Sequence, residues 1–228
     1  MIRVEGVSHA YGDRTVLRDV SVDLTEHRIG VIGANGSGKS TFARLLNGLV
    51  VPDAGRVEVD GLDTRREGAA VRRRVGFVFA DPDAQVVMPT VAEDVAFSLR
   101  RLRLARHETS ARVAEVLERF GLADHADHPA HLLSGGQKQL LALASVLVTE
   151  PQVLVCDEPT TLLDLRHARE VGALVEALPQ QVVLVTHHLD LVHGWDRVLV
   201  VDGGRVVHDG SPAESVAAYR ALMGAGAR

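Results

Sequence analysis

An α/β fold built on a mainly parallel sheet is what three features of this 228-residue chain predict. Gln152-Val153-Leu154-Val155-Cys156-Asp157 and Gln181-Val182-Val183-Leu184-Val185-Thr186 are continuous apolar runs, the pattern of parallel strands buried on both faces. Gly33-Ala34-Asn35-Gly36-Ser37-Gly38-Lys39-Ser40-Thr41 matches the phosphate-binding pattern G-x-x-x-x-G-K-[ST]. It sits between a short apolar run, Arg28 to Ile32, and a helical one, Phe42 to Leu46. The segment from Thr90 to about Gly121 changes to helical periodicity. The expectation is a P-loop NTPase core with an N-terminal antiparallel β-subdomain and an inserted α-helical subdomain.

Each element follows from local pattern. Ile2-Arg3-Val4-Glu5 and Val20-Ser21-Val22-Asp23-Leu24 alternate apolar and polar, as half-buried antiparallel strands do. Gly55 to Gly61 reads as a strand bounded by turn residues. Val75-Gly76-Phe77-Val78-Phe79 reads as a buried strand. Val91, Val95 and Leu99, then Val113, Val116, Leu117 and Phe120, recur at helical spacing with arginines on the polar side. Asp196 to Asp202 and Arg205 to Asp209 form a hairpin about Gly203-Gly204, and Pro212 to Met223 a closing helix. One domain spanning 1–228 is expected, with the helical subdomain at about 90–150.

Composition narrows the function classes. The net charge of −5 provides no basic field for nucleic acid. No apolar stretch approaches the roughly 18 residues of a membrane-crossing helix, and no signal peptide opens the chain. The single cysteine, Cys156, lies in an apolar run and reads as a buried inert thiol, which suits a reducing compartment. A cytoplasmic chain is expected, with any membrane anchor supplied by another chain.

The chemistry gathers at strand ends. A triphosphate needs many donors at short range. A helix N-terminus supplies N–H groups, and the glycines from Gly33 to Gly38 let the backbone curl around the anion. Lys39 reaches the β- and γ-phosphates, and the Ser40 hydroxyl goes to Mg²⁺. Lys39 and Lys138 are the only lysines in a chain that otherwise uses arginine, as expected where a compact ammonium fits and a planar fork does not. Asp157, at a buried strand's exit, is the expected Mg²⁺ partner, directly or through water, and Glu158 the expected general base. His187, after the next apolar run, is placed to contact the γ-phosphate and orient water. His125, His128 and His131 stand at i, i+3 and i+6, but Pro129 interrupts them, so they read as a polar loop. The arginine groups at 72–74 and 100–103 read as a solvated face.

Leu133-Ser134-Gly135-Gly136-Gln137, added to these motifs, makes the chain similar to the ATP-binding subunit of ABC transporters along essentially its whole length. The resemblance implies ATP held between two subunits, as a homo- or heterodimer. Ser134, Gly135 and Gly136, with Gln137 in the same signature, would cap the γ-phosphate bound by the facing subunit. Asp164 falls at the D-loop position, and Tyr11 where a ring stacks on adenine. One departure concerns the residue after the strand ending at Phe79. The family normally has a glutamine there that reaches Mg²⁺ and the attacking water; here it is Ala80, whose methyl forms no hydrogen bond. Three outcomes stay open: Gln85 substitutes, a partner chain supplies the group, or turnover is slow.

Asp81-Pro82-Asp83-Ala84-Gln85 with Val86 to Val91, and Asp157 to Arg166, resemble the energy-coupling-factor branch of vitamin and metal importers, the biotin-uptake ATPase most closely. That implies a transmembrane coupling protein and a substrate-binding membrane subunit as partners, and a place on the inner face of the cell membrane. Val86-Val87-Met88-Pro89 would lie beside the groove that receives the membrane chain. Cobalt or nickel import is the alternative to biotin. Outside transport, the rivals are a soluble ABC ATPase of repair or translation and a regulatory binder without turnover.

Overall fold

Residues 1–225 are described by a computed structural model. The chain runs β1 (Ile2–Tyr11), β2 (Arg14–Leu24), β3 (Arg28–Ile32), α1 (Lys39–Leu46), β4 (Ala54–Val59), β5 (Leu62–Asp63), α2 (Gly68–Arg74) and β6 (Val75–Val78). It continues through α3 (Val91–Leu99), α4 (Arg106–Arg119), α5 (Gly135–Leu147), β7 (Val153–Asp157), α6 (Leu165–Glu176), β8 (Gln181–Val185), β9 (Arg197–Asp202), β10 (Arg205–Gly210) and α7 (Pro212–Ala225). Short 3₁₀ turns fill several of the connections.

Two sheets form. An antiparallel sheet has the order β2-β1-β4-β5, and a six-stranded sheet the order β10-β9-β3-β8-β7-β6. Within the second, β9, β3, β8, β7 and β6 are parallel and β10 closes the edge antiparallel to β9. The mainly parallel core and the antiparallel N-terminal sheet are as the sequence predicts. The N-terminal strands run further than the alternating segments alone suggest, because β1 and β2 pair through to Tyr11 opposite Arg14.

The period of two along each strand divides the core. Val153 and Val155 of β7, with Val183 and Val185 of β8, point to a cluster that holds Phe42, Leu45 and Leu46 of α1 and the inner face of β1, β2 and β4. Leu154, Cys156, Val182 and Leu184 point the other way, into a cluster with α3 to α6. This explains why the two strands read as unbroken apolar runs: neither face meets water.

Helices α3, α4 and α5 lie between β6 and β7 in the chain. Thr90 caps α3 through a reciprocal pair with Glu93. Val91, Val95 and Leu99 are buried at the expected spacing. Asp94, which sequence reasoning passed over, is 3% exposed and accepts from the N–H groups of Val87 and Met88 and from the Ser145 hydroxyl. It ties the Val86–Pro89 loop to α5 while Val87 stays exposed.

Candidate functional site

Three neighbouring parallel strands deliver the site. β3 leads into the glycine loop, β7 ends on Asp157, and β8 ends just before Thr186 and His187. Register pairs Val31 with Val185 and Asp157 with Val185, so the carboxyl ends of these strands are side by side. Open α/β sheets place their ligands there.

The glycine loop is clamped from outside. Gly38 has φ 109°, and a Cβ there would lie 2.8 Å from the Val16 carbonyl of β2. Gly204, in the β9–β10 turn, has φ 79°, and a Cβ at that position would run into the same carbonyl. The Gly204 N–H donates to Ser37 O at 3.0 Å, and the Gly204 carbonyl accepts from Arg18 N at 2.9 Å. One glycine thus joins the loop, β2 and the last hairpin.

Lys39 is 5% exposed, and its ammonium donates to the carbonyls of Gly33 and Ala34, both at 2.9 Å. Burial pushes its pKa below the usual lysine value, and the nearby Glu158 and Asp157 carboxylates oppose that shift. Ser40 donates its hydroxyl to Asp157 Oδ1 at 2.8 Å. Asp157 is 2% exposed, and burial raises its pKa against the Ser40 hydrogen bond and the Arg44 guanidinium at 3.8 Å. A buried carboxylate short of countercharge beside a hydroxyl is a hard-oxygen pair suited to Mg²⁺. The donor chemistry of these two residues therefore fits Mg²⁺, which they would hold.

Glu158 occupies the left-handed region at φ 54°, a conformation that costs a non-glycine residue about 1–3 kcal/mol. Its N–H donates to Val185 O at 2.9 Å, which holds the turn. Its Oε2 accepts from His187 Nδ1 at 2.6 Å, from His187 N at 3.3 Å and from Thr161 Oγ1 at 3.2 Å. Because the carboxylate accepts from Nδ1, that nitrogen carries a proton. Among the described residues Oε1 has no partner, and Glu158 lines a cavity of about 400 Å³ shared with Lys39, Ser40, Thr41 and His187. Gly36, Gly38, Asn35, Tyr11 and Ala80 also border it. Tyr11 is half exposed, with its ring edge-on to His9 at 4.8 Å.

The signature residues lie elsewhere. Ser134 caps α5, accepting from Gln137 N at 3.3 Å while its own N–H donates to Gln137 Oε1 at 2.9 Å. Gly135 and Gly136 occupy the first helical positions, where N–H groups have no intrahelical acceptor. The Gln137 amide nitrogen bonds His125 at 2.8 Å. A Cβ on Gly136 would meet the His167 ring at 2.9 Å, and His167 donates to Asp164 from both its backbone N and Nδ1. The backbone bond is the main reason that Asp164 lies below the usual aspartate pKa. Asp164 is therefore the cap of α6 and a neighbour of the signature. None of Ser134, Gly135, Gly136, Gln137 and Asp164 borders the Lys39 cavity of its own chain.

Of the three outcomes open for Ala80, the one that has Gln85 stand in for the glutamine meets a side chain already engaged at both ends. Gln85 Oε1 accepts from Phe79 N at 3.1 Å and its amide donates to Ala142 O at 3.2 Å. Both ends of the side chain brace β6 against α5, and the cavity is bordered by Ala80. The pattern of motifs missed Thr161, Arg14, Val16 and Gly204. Arg14 was legible in principle, since a Gly12-Asp13 turn sets it opposite Tyr11.

A family model described as ABC transporter matches residues 17–161. A putative ABC transporter ATP-binding protein of Deinococcus radiodurans is 56% identical over 98% of this chain and 99% of its own. The biotin transport ATP-binding protein BioM of Rhizobium etli is 46% identical over 97% of this chain and 98% of its own. Among solved structures, CbiO1 of Clostridium perfringens, part of the ABC transporter complex CbiONQ, superposes with a TM-score of 0.84. It is 34% identical, and the match covers 100% of this chain and 94% of that one.

Proposed function

This chain belongs to the ABC transporter family and is one of its ATP-hydrolysing cassettes, and from that premise we propose that it powers a membrane importer of the energy-coupling-factor type, for a vitamin such as biotin. The whole chain acts as one nucleotide-binding domain, with the α3–α5 region as its signature-bearing helical subdomain. It sits on the inner face of the membrane through a transmembrane coupling protein that contacts a substrate-binding subunit. The likeness to a biotin transport ATP-binding protein supports the branch and the substrate.

The chain's own residues divide the chemistry. The loop from Gly33 to Gly38 and the N–H groups of Lys39 to Thr41 bind the phosphates. Lys39 leaves its two carbonyls for the β- and γ-phosphates, whose charge opposes the pKa depression that burial imposes. Ser40 and Asp157 hold Mg²⁺, which supplies charge neutralisation on the phosphate oxygens when bound. Glu158 takes the proton of the attacking water on Oε1, while His187 and Thr161 fix Oε2. Tyr11 stacks on the base.

The observation that carries this reading is the separation of Ser134, Gly135 and Gly136 from a cavity whose triphosphate needs them. A second ATPase subunit, identical or related, presents those N–H groups, and Asp164 beside them lines the same seam. Closure on ATP and opening after hydrolysis then move the docked membrane chain, with the γ-phosphate as bridging ligand. The test is Glu158→Gln. With Mg-ATP this variant is expected to elute as a nucleotide-containing dimer, alone or with its related subunit, and to lose at least a hundredfold in turnover. A monomer at saturating Mg-ATP in both settings refutes the shared-site reading. Labelled biotin uptake by cells carrying the assembled complex, lost in Lys39→Ala, tests the substrate. Uptake of cobalt or nickel in place of biotin would replace it.

A further inference from the structure

Two cations border the nucleotide cavity, and the motifs account for one. Lys39 is buried, held by loop carbonyls and near Glu158 and Asp157. Arg14, the first residue of β2, borders the same cavity and is exposed. Its side chain forms no hydrogen bond or ion pair among the described residues, and among the arginines it alone borders this cavity.

We infer that Arg14 is a nucleotide-binding residue whose guanidinium donates to the phosphate chain on the side facing Tyr11. The placement follows from register. Arg14 is the direct cross-strand partner of Tyr11, so the two side chains leave the hairpin on one face. One Nη of Arg14 lies 3.7 Å from the point where Gly36 would carry a Cβ, so the guanidinium lies over the glycine loop. The side chain spans from the ring proposed to stack on the base to the loop proposed to cradle the phosphates. The strand that carries it is fixed against that loop through Gly38, Gly204 and the Val16 carbonyl. Charge points the same way. Asp157 and Glu158 oppose a polyphosphate, Lys39 and Arg44 on the Asp157 side offset them, and Arg14 adds a further cation at the border of the cavity. A fork of N–H donors with no carboxylate to satisfy it has phosphoryl oxygens as its natural acceptors.

The inference rests on the nucleotide site proposed above, so the experiment separates the two. Affinities for fluorescent ATP and ADP are measured for the full chain, Arg14→Ala, Arg14→Gln and Lys39→Ala, with melting temperature as the control for folding. Both Arg14 variants are expected to melt like the parent and to bind ATP and ADP about tenfold more weakly. In the assembled complex KM for ATP rises by a similar factor while kcat at saturation is unchanged, because the role assigned to Arg14 is to bind the nucleotide, not to activate water. Weak binding by Lys39→Ala with parental affinity for either nucleotide in the Arg14 variants overturns the Arg14 assignment alone. Parental affinity in all three variants overturns the nucleotide site itself. A lowered kcat without a change in KM also overturns the assignment.

Discussion

Asp157 holds a negative charge where water does not reach, and its pKa is raised because burial outweighs the single hydroxyl donor and a distant guanidinium. An acid with a folded pKa above its unfolded value keeps its proton longer in the folded state. Folding stability therefore falls as pH rises from the ordinary aspartate value through the raised one, and the loss is complete above it. Asp157→Asn removes that loss and keeps an acceptor for Ser40. It also gives up the Arg44 contact, but at 3.8 Å to a 42% exposed side chain that pair is worth little. The ligand-free variant is expected to melt higher than the parent at pH 7, with the difference closing as pH falls toward 4. Stabilisation by Mg-ATP and turnover are expected to be lost. Differential scanning fluorimetry across pH, with and without Mg-ATP, checks both halves. A lower melting point at pH 7 would mean that the carboxylate is a net structural asset without metal.

At the scale of elements, the last hairpin does more than close the sheet. Its turn glycine supplies both a donor to the phosphate loop and an acceptor for β2, at a separation that leaves no room for a Cβ. Gly204→Ala forces a backbone shift and strains a left-handed residue, at about 1–3 kcal/mol. For a chain of this size that lowers the melting temperature by about 2–10 °C. Because the strain is transmitted through Ser37 and Val16, KM for ATP is expected to rise as well. Steady-state kinetics on the assembled complex measure this, and an unchanged KM would confine the role of Gly204 to stability. The dipeptide Gly203-Gly204 announces a hairpin turn in sequence. Nothing in the sequence announces its contact with a loop about 165 residues away, because non-local backbone approach leaves no local pattern.

For the whole molecule, ligand linkage gives the plainest measure. Mg-ATP at a hundred times its dissociation constant is expected to stabilise the single chain by about 2.7 kcal/mol. That corresponds to a rise of about 5–10 °C. Removal of Mg²⁺ with EDTA is expected to cut the rise by more than half, since Ser40 and Asp157 then face the phosphates without countercharge. The thermal shift, titrated in ATP with and without EDTA, is the measurement. No helix among the described residues is long and apolar enough to cross a membrane. The proposed coupling to a membrane chain would then run through surface segments, and the exposed Val87 loop that Asp94 holds against α5 is the one the sequence suggests.

By itself the sequence determined the sheet, the phosphate loop, the acids at the end of β7 and the signature that opens α5. Each is written in adjacent residues, by strand period, by glycine spacing or by a capping pattern. It also exposed the loss of the family's glutamine at Ala80, since an absence at a fixed position is legible without coordinates. Only tertiary structure decided where Gln85 turns, which oxygen of Glu158 is left open, and that Arg14 reaches the loop beside Tyr11. Those depend on which strands meet and at what register. A hydrogen bond or a cation's reach is set within a few ångströms in space, between groups that the chain keeps far apart.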